Sequence, residues 1–557
     1  MSNPIISVDG AAIGPEGSPL SEKRLDSWKA IAAFLDRAVR TAQRWERSEG
    51  LPVWRHAHNT KSSVHAYGSE LQQWLKNRQP KDSPARNRQA RQPKAGKVRL
   101  VVLPFSNLSG DPQQDYFSAG LTTEMIVRLG KLDPTRLGVI AAASSGALAG
   151  KPIAEIGRIL DVQYALEGSV RRNAQRVRID VQLIQVSEQT HLWADSYDRD
   201  LVDILSVQDD VGAAVAGQIR LALTNLAPKN GPRTSNRAVN PEAYDAYLRG
   251  RFYSTNRTDL RKALRAYEEA IQKDPEYALA HAGLASTFTL LGQVPYDDSP
   301  PAEVKPKAKK AAQHALRLAP QLGEAHAVLG NVAFNYYWDF AGAEREFQRA
   351  LTLSPNDPTT HVWYGHFCVA RNRATDALAE GARILELDPV SPLFNSVLAE
   401  THYYTRNFDA TLEQARRAVE QFPTYPLAYI WLGSAYREKK KYAKALAEFS
   451  KARQFSGNHP AMTSLYGHAL AASGNLSGAR KILNELRRLA GSRYVSPLYF
   501  AAVHTGLGEL DKALEWLERA FHERTDRLVY LGVDPIADPL RSIAGFNQLL
   551  RKIGVAG

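Results

Sequence analysis

Arg40, Thr41, Gln43, Arg44 and Arg47 fall within one short stretch of this 557-residue chain. On a helix, the three arginines, at steps of four and three, share a face opposite Ala42 and Trp45. Guanidinium groups suit phosphate oxygens and can pair bidentately with guanine, and a glutamine can pair with adenine. A little further on, Arg55, His56 and Lys61 could neutralise further phosphates. The chemistry these residues offer is recognition of double-stranded DNA. The plain alternative is a solvated helix face.

Several elements must hold these groups in place. Ser27 is expected to cap a first helix whose Trp28, Ile31 and Leu35 share one face. Asp36-Arg37-Ala38 reads as a turn, and Gly50-Leu51-Pro52 ends the second helix. A two-stranded wing follows, and Leu71, Trp74 and Leu75 give a last helix its buried side. Four of the nine tryptophans lie here, as a very small core needs bulky fillers. Charge is concentrated in the same region. Residues 21–99 carry 18 Lys and Arg against 7 Asp and Glu, within a chain of net charge +13. A basic block on a nearly neutral body points to a polyanion partner for that block.

The stretches "SWKAIAAFL", "RTAQRWER" and "LPVWRH" make residues 21–78 resemble winged helix-turn-helix domains of the MerR and excisionase type. The resemblance implies a second helix in the major groove and a wing along the backbone. That family dimerises through a long coiled-coil helix after the module. None is visible here, and a homodimer stays open.

Bond-making chemistry finds little support. His56 and His58 have no cysteine or carboxylate at ligand spacing, so no metal is expected. The single cysteine, Cys368, rules out an intramolecular disulfide framework. Gly146 to Pro152 looks like a phosphate loop, but its glycines are one residue too close and Pro152 stands where a hydroxyl should hold magnesium. No G-x-S-x-G, H-E-x-x-H or dinucleotide fingerprint appears. The expectation is no catalytic residue, no cofactor and no enzyme. Proteins similar to this one sometimes accompany nucleotide cyclase domains, and no unassigned stretch is large enough for one.

Residues 98–225 mix strand and helix patterns. "RLVVLPF" reads as a buried strand, Tyr116 to Leu129 as an amphipathic helix, and "YALEGSVRR" and "RVRIDVQLIQV" as a hairpin about Asn173-Ala174-Gln175. Together with "VLPFSNLSGDPQQDYFSAGLTTEMI" and "HLWADSYDR", these make the region resemble the TolB N-terminal-like (FlgO-like) α/β domain. The resemblance names no ligand.

The remainder repeats. Steps of 34 from Ala350 reach Ile384, Ala418, Ala452, Leu486 and Ala520, all apolar. The same steps from Ala343 reach Ala377, Thr411, Ala445, Ala479 and Ala513. Pro275, Pro320, Pro355, Pro389 and Pro423 close successive units, since proline cannot continue a helix. Small residues let two helices approach closely, and Leu432, Tyr436, Tyr442 and Phe449 fill the space between units. His281, His326 and His361 recur at one position, which packing explains. Cys368 reads as a buried, inert thiol. "YIWLGSAYREKKKYAKALAEFSKA" carries the tetratricopeptide-repeat (TPR) pattern.

The chain is thus expected to be multidomain. Residues 1–20 are disordered, 21–78 form the winged helix-turn-helix, 79–97 a basic linker and 98–225 the TolB-N-like α/β domain. Residues 226–239 form a second linker, 240–525 an all-α TPR solenoid of about eight repeats, and 526–557 a C-terminal cap. Across almost its full length the sequence resembles bacterial TPR-containing transcriptional regulators. The function expected is DNA-binding regulation, with a protein or peptide ligand in the TPR groove. The alternative is a TPR scaffold that does not bind DNA, in a signalling or envelope-associated assembly. With no apolar run near 20 residues and no signal peptide apparent, the expected location is cytoplasmic.

Overall fold

The structure, a computed structural model, describes residues 24–35, 39, 42, 43, 45, 46, 50–56, 63–77, 97–134, 136–173, 176–222, 240–255, 257, 259–296 and 299–555. The chain divides into two compact units, residues 1–95 and 96–557. The stretches expected to be disordered, 1–20, and to be linkers, 79–97 and 226–239, lie outside the described residues but for Lys97.

In the first unit, strand β1 (Arg24–Leu25) pairs antiparallel with β3 (Ser63–Tyr67), which pairs on its other edge with β2 (Trp54–His56). The expected two-stranded wing therefore gains a third strand. Helix α1 (Trp28–Phe34) starts where Ser27 accepts the Ala30 N–H at 3.1 Å, so the cap lies where the sequence placed it. Leu25, Ile31, Leu35, Ala42, Trp45, Val64 and Leu71 form the core, and the Trp45 and Trp74 rings lie 5.7 Å apart. Leu75, in the last turn of α2 (Gly68–Asn77), is exposed rather than buried, because it lies beyond this small core. The expected turn at residues 36–38 lies outside the described residues.

The second unit opens with a six-stranded sheet. Strands β4 (Val98–Val102), β5 (Ser106–Asn107), β6 (Leu137–Val139), β7 (Tyr164–Asn173), β8 (Arg176–Gln185) and β9 (Thr190–Asp200) run in the order β6-β4-β7-β8-β9, with β5 also on β7. β4 is parallel to both its neighbours and buried on both faces, hence its unbroken apolar run. Leu100 and Val102 meet Phe117, Leu121, Met125 and Leu129 of α3 (Asp115–Leu132). Val101 faces the other way, toward Ile156 and Leu160 of α5 (Ile153–Leu160), which follows the short α4 (Ala142–Ala147). β8 alternates, and its inward Val177, Ile179, Val181 and Leu183 share a core with Ile204, Val207, Val211 and Val215 of α6 (Ile204–Ala222).

Sixteen helices follow among the described residues, in eight antiparallel pairs numbered α7 to α22 in order. They are Pro241–Thr255 with Leu260–Lys273, Ala278–Leu291 with Pro301–Leu318, Gly323–Val332 with Phe340–Leu353, and Pro358–Ala370 with Ala374–Leu387. The rest are Pro392–Tyr404 with Phe408–Gln421, Pro426–Glu438 with Tyr442–Phe455, Pro460–Ala472 with Leu476–Ala490, and Pro497–Gly506 with Leu510–Glu523. Two glycines of the repeat are needed for close approach. A Cβ on Gly433 would sit 2.9 Å from the Phe449 ring, and one on Gly330 2.8 Å from Phe347.

The recurrent histidine position has a specific use. His281, His326 and His361 each bring Nε2 to the carbonyl of the proline six residues earlier, at 2.9, 3.2 and 3.0 Å. Asn395 and Tyr429 make the same bond, to Pro389 and Pro423. A side chain that can donate there satisfies a carbonyl left over where the preceding helix stops.

Sheet and array share one core. Tyr244, Tyr247 and Leu248 of α7 and Tyr267 of α8 pack with Phe117, Leu121 and Met125 of α3. Gly120 permits this, since a Cβ there would lie 3.0 Å from Leu248. After α22 the chain forms two short 3-10 segments, Leu528–Tyr530 and Pro535–Leu540, and a last helix, α23 (Ala544–Ile553). Where the sequence suggested a terminal cap, these residues also turn back against the turn after α11 and against α13 and α15, several hairpins earlier.

Candidate functional site

The first helices of successive hairpins line a cavity of about 210 Å³. Its wall is apolar and aromatic, with Trp363, Leu393, Val397, Ile430, Trp431 and Tyr499 among its residues. Each inner helix contributes because the repeat turns the same face inward at every step. Few charged groups reach this wall, and the most buried is Glu400 of α15. Burial opposes its negative charge, but Arg527 and His366 beside it outweigh burial and hold its carboxyl down at about 2. Arg527 pairs with that carboxylate and donates to the Tyr404 hydroxyl at 2.8 Å. His366 lies 3.4 Å from the other carboxylate oxygen.

A second buried charge cluster joins the sheet to the array. Tyr247 donates to Glu124 of α3 at 2.7 Å. Arg251 lies between Glu124, at 3.3 Å, and Glu324 of α11, at 3.5 Å. A third contact pins α4 to the α14–α15 turn. The Ser144 N–H donates to Asp388 at 2.7 Å, and Ser144 Oγ accepts the Val390 N–H. Burial pushes the Asp388 carboxyl up to about 6, against the lowering effect of its bonds to Ser144.

Neither ionic cluster was anticipated from sequence. A signal existed, in that Glu124, Arg251 and Glu400 interrupt faces otherwise made of small and apolar residues. Their partners lie 73 to 127 positions away in the chain, counting Arg251–Glu324 and Arg527–Glu400, and no local pattern links them.

The predicted DNA-contacting residues fare differently. Arg40, Thr41, Arg44, Arg47 and Lys61 lie outside the described residues, as does the His56 side chain. Gln43 is helical and half-buried. Arg55 is exposed, and its guanidinium is held by Glu46, with Nη2 at 2.7 and 3.0 Å from the two carboxylate oxygens. In the phosphate-loop lookalike, Lys151 pairs with Glu155 at 2.6 Å. Cys368 is buried, and burial pushes its thiol up to about 12, so it is the inert core thiol the repeat pattern suggested. Among the described residues no three His, Cys, Asp or Glu side chains are grouped to hold a metal, and no helix is long and apolar enough to cross a membrane.

Two tetratricopeptide-repeat family models match, one over residues 256–295, 339–392 and 397–460, the other over 436–496. The C-terminal part of the chain is a TPR array. A protein of Rhizobium meliloti (strain 1021) named "Putative adenylate cyclase 3" is 43% identical over 193 residues, which are 34% of this chain and 32% of that protein. This chain therefore spans about a third of that relative's length. The match corrects one expectation from sequence: with an enzyme's name on a relative this similar, the reading of the chain as a non-enzyme does not stand. That reading rested on missing motifs, and a motif search sees only the chemistries it looks for.

Among solved structures, the chain is similar to human IFIT1 (19% identity, 57% of this chain and 79% of that one, TM-score 0.37). It is also similar to PilW, a type IV pilus biogenesis factor (18%, 39% and 94%, 0.31), and to YrrB, a TPR protein with a peptide-binding site (23%, 37% and 98%, 0.26). Likenesses at this level carry no functional argument.

Proposed function

We propose that this protein is an adaptor whose TPR array holds a segment of another protein on its concave face. The observation that carries this reading is the aromatic cavity along the inner helices, with the buried carboxylate of Glu400 beside it. TPR units stack to bury their own apolar surfaces, and an inner wall that leaves a void bordered by Trp363, Trp431 and a carboxylate is suited to a polypeptide. A photo-crosslinking residue placed at Leu427, on the cavity wall, should yield protein adducts in cells. The same residue at Lys444, on the outer helix α18, should not. Adducts from Lys444 alone would refute the reading.

The finer part of the proposal concerns residues 21–78, which we assign to double-stranded DNA in the cytoplasm, making the adaptor a transcriptional regulator. It is supported by the concentration of positive charge and by the arginine spacing. With Arg55 engaged by Glu46, Arg40 and Arg44 are expected to dominate. Affinity of the intact chain for duplex DNA should fall steeply with salt, and Arg40→Glu with Arg44→Glu should abolish it. No binding at low salt would remove this part and leave the adaptor standing.

The likeness to the Rhizobium protein favours a second reading, in which the chain serves adenylate cyclase signalling. Cyclic AMP formation from ATP by the purified chain is the direct assay. Product above background supports this reading, and its absence counts against catalysis by the chain itself.

A further inference from the structure

The residues after α22 occupy the inner side of the array in the manner of a ligand. Arg524 donates to the Tyr336 carbonyl at 2.9 Å, and its guanidinium lies 4.8 Å from the centre of the Trp338 ring. Three residues on, the Arg527 guanidinium enters the wall, pairs with Glu400 and lies 5.0 Å from the Tyr530 ring. Tyr530 stacks on Tyr404 at 5.2 Å and meets Phe334 and His366 edge-on. Arg406 holds Asp538 with two bonds, at 2.6 and 2.8 Å. Asp526, Arg527, Tyr530, Leu531, Asp534 and Leu540 all border the cavity.

Leu528, Val529, Tyr530, Leu531, Ala537 and Leu540 are buried in the core of the array, and three features set their segment apart from the helices around it. It contains no α-helix or strand between Thr525 and Arg541, only short 3-10 turns, so it is held chiefly by its side chains. Arg527 sits at φ +73, in the left-handed region that L-residues rarely adopt, and from there its guanidinium reaches Glu400. The anchor itself is an ion pair. A buried ion pair stabilises no better than apolar side chains of the same volume, but removing one partner leaves a charge stranded. Glu400 thus obliges the concave face to receive a cation, and the adjoining void shows that the present occupant leaves part of the site unfilled.

We propose that Asp526–Leu540 is an intramolecular ligand that closes the concave site. Its release exposes a receptor for segments of the same chemistry, an arginine followed three residues later by an aromatic. The inference deepens the adaptor reading and rests on it, and it makes partner binding a competition with the chain's own terminus.

The test uses the full chain and, as probe, a fluorescent synthetic peptide of residues 523–541. The double variant Arg527→Glu, Tyr530→Ala loosens the resident segment. It should bind the probe at least tenfold more tightly than the unaltered chain, and a probe carrying Arg527→Glu should not bind. Equal affinity in the two proteins would overturn the proposal, and so would loss of helicity in the variant. Hydrogen exchange of the unaltered chain gives an independent answer. Amides of Leu528 to Leu540 should exchange by a local opening, with protection at least tenfold below that of α13 and α15. Exchange of these amides together with those helices would make the segment a fixed part of the core and defeat the idea. Because the probe is the chain's own sequence, such a failure leaves the adaptor reading to be judged by crosslinking at Leu427.

Discussion

Asp388 offers a sharp test of how the sheet is held to the array. Its carboxyl is buried at the α14–α15 turn, with Ser144 as its hydrogen-bonding partner. Burial raises its folded-state value from 3.8 to about 6, so between those pH values the folded protein carries a proton that the unfolded chain has lost. Stability from this group is therefore greatest at low pH and falls as pH rises through the window. A shift of about 2 units corresponds to about 3 kcal/mol, of which about 2 kcal/mol is lost between pH 4.5 and 7. Asp388→Asn keeps an oxygen for the Ser144 N–H and removes the titration. Urea unfolding of both proteins at pH 4.5 and 7 should show the wild type losing about 2 kcal/mol relative to the variant as pH rises. Groups common to both proteins cancel in that difference. A difference that stays constant, or that grows in favour of the wild type, would refute the assignment of the shift to burial.

Four other substitutions probe the packing. Tyr247→Phe deletes the hydroxyl that Glu124 accepts and should cost about 1.5–3 kcal/mol in thermal or urea unfolding, the range for a hydrogen bond to a charged group. Gly433→Ala should destabilise by about 1–3 kcal/mol, because its Cβ would press on the Phe449 ring, although alanine is the better helix former. Gly365→Ala, whose Cβ would meet the Glu380 Cβ at 3.3 Å and the Ala377 carbonyl at 4.0 Å, should be near neutral, so a similar loss at both sites would refute the close-approach argument. Arg251→Met strands Glu124 and Glu324 without their cation and should cost about 3–5 kcal/mol, to be read as a fall in the unfolding midpoint.

The repeat was legible in sequence because its physics is local and periodic. A small residue every 34 positions and a proline after each unit specify one hairpin, and the hairpins stack. The strand pattern of β4, β7 and β8 was readable for the same reason, and Ser27 was readable as a cap because capping depends on four consecutive residues, Ser27 to Ala30. The concave site was not. Glu400 lies in the run "VLAETHYY", which reads as an ordinary inner helix until Arg527 is placed beside it. The same holds for the use of the recurrent histidine. Its period pointed to a structural role, read as packing, but its bond to the proline carbonyl needed the geometry of the turn.

The buried ionic contacts between sheet and array explain why these two parts form one compact unit. A purely apolar seam can slip with modest loss, since any apolar neighbour serves nearly as well. Arg251 between Glu124 and Glu324 admits one register only, because a shift of either helix leaves a charge without a partner in a low-dielectric setting. The Arg527–Glu400 pair imposes the same condition on the C-terminal segment. The two pairs differ in what holds them. Arg251 is on a helix fixed by its hairpin partner and by the Tyr244, Tyr247 and Tyr267 cluster, so its register is permanent. Arg527 is carried by a segment with no α-helix or strand of its own, so under the proposal above its docking is specific and, once the ion pair is broken, reversible. Specificity with weak secondary structure is the combination an exchangeable ligand needs, and it sets the terminus apart from the rest of the array.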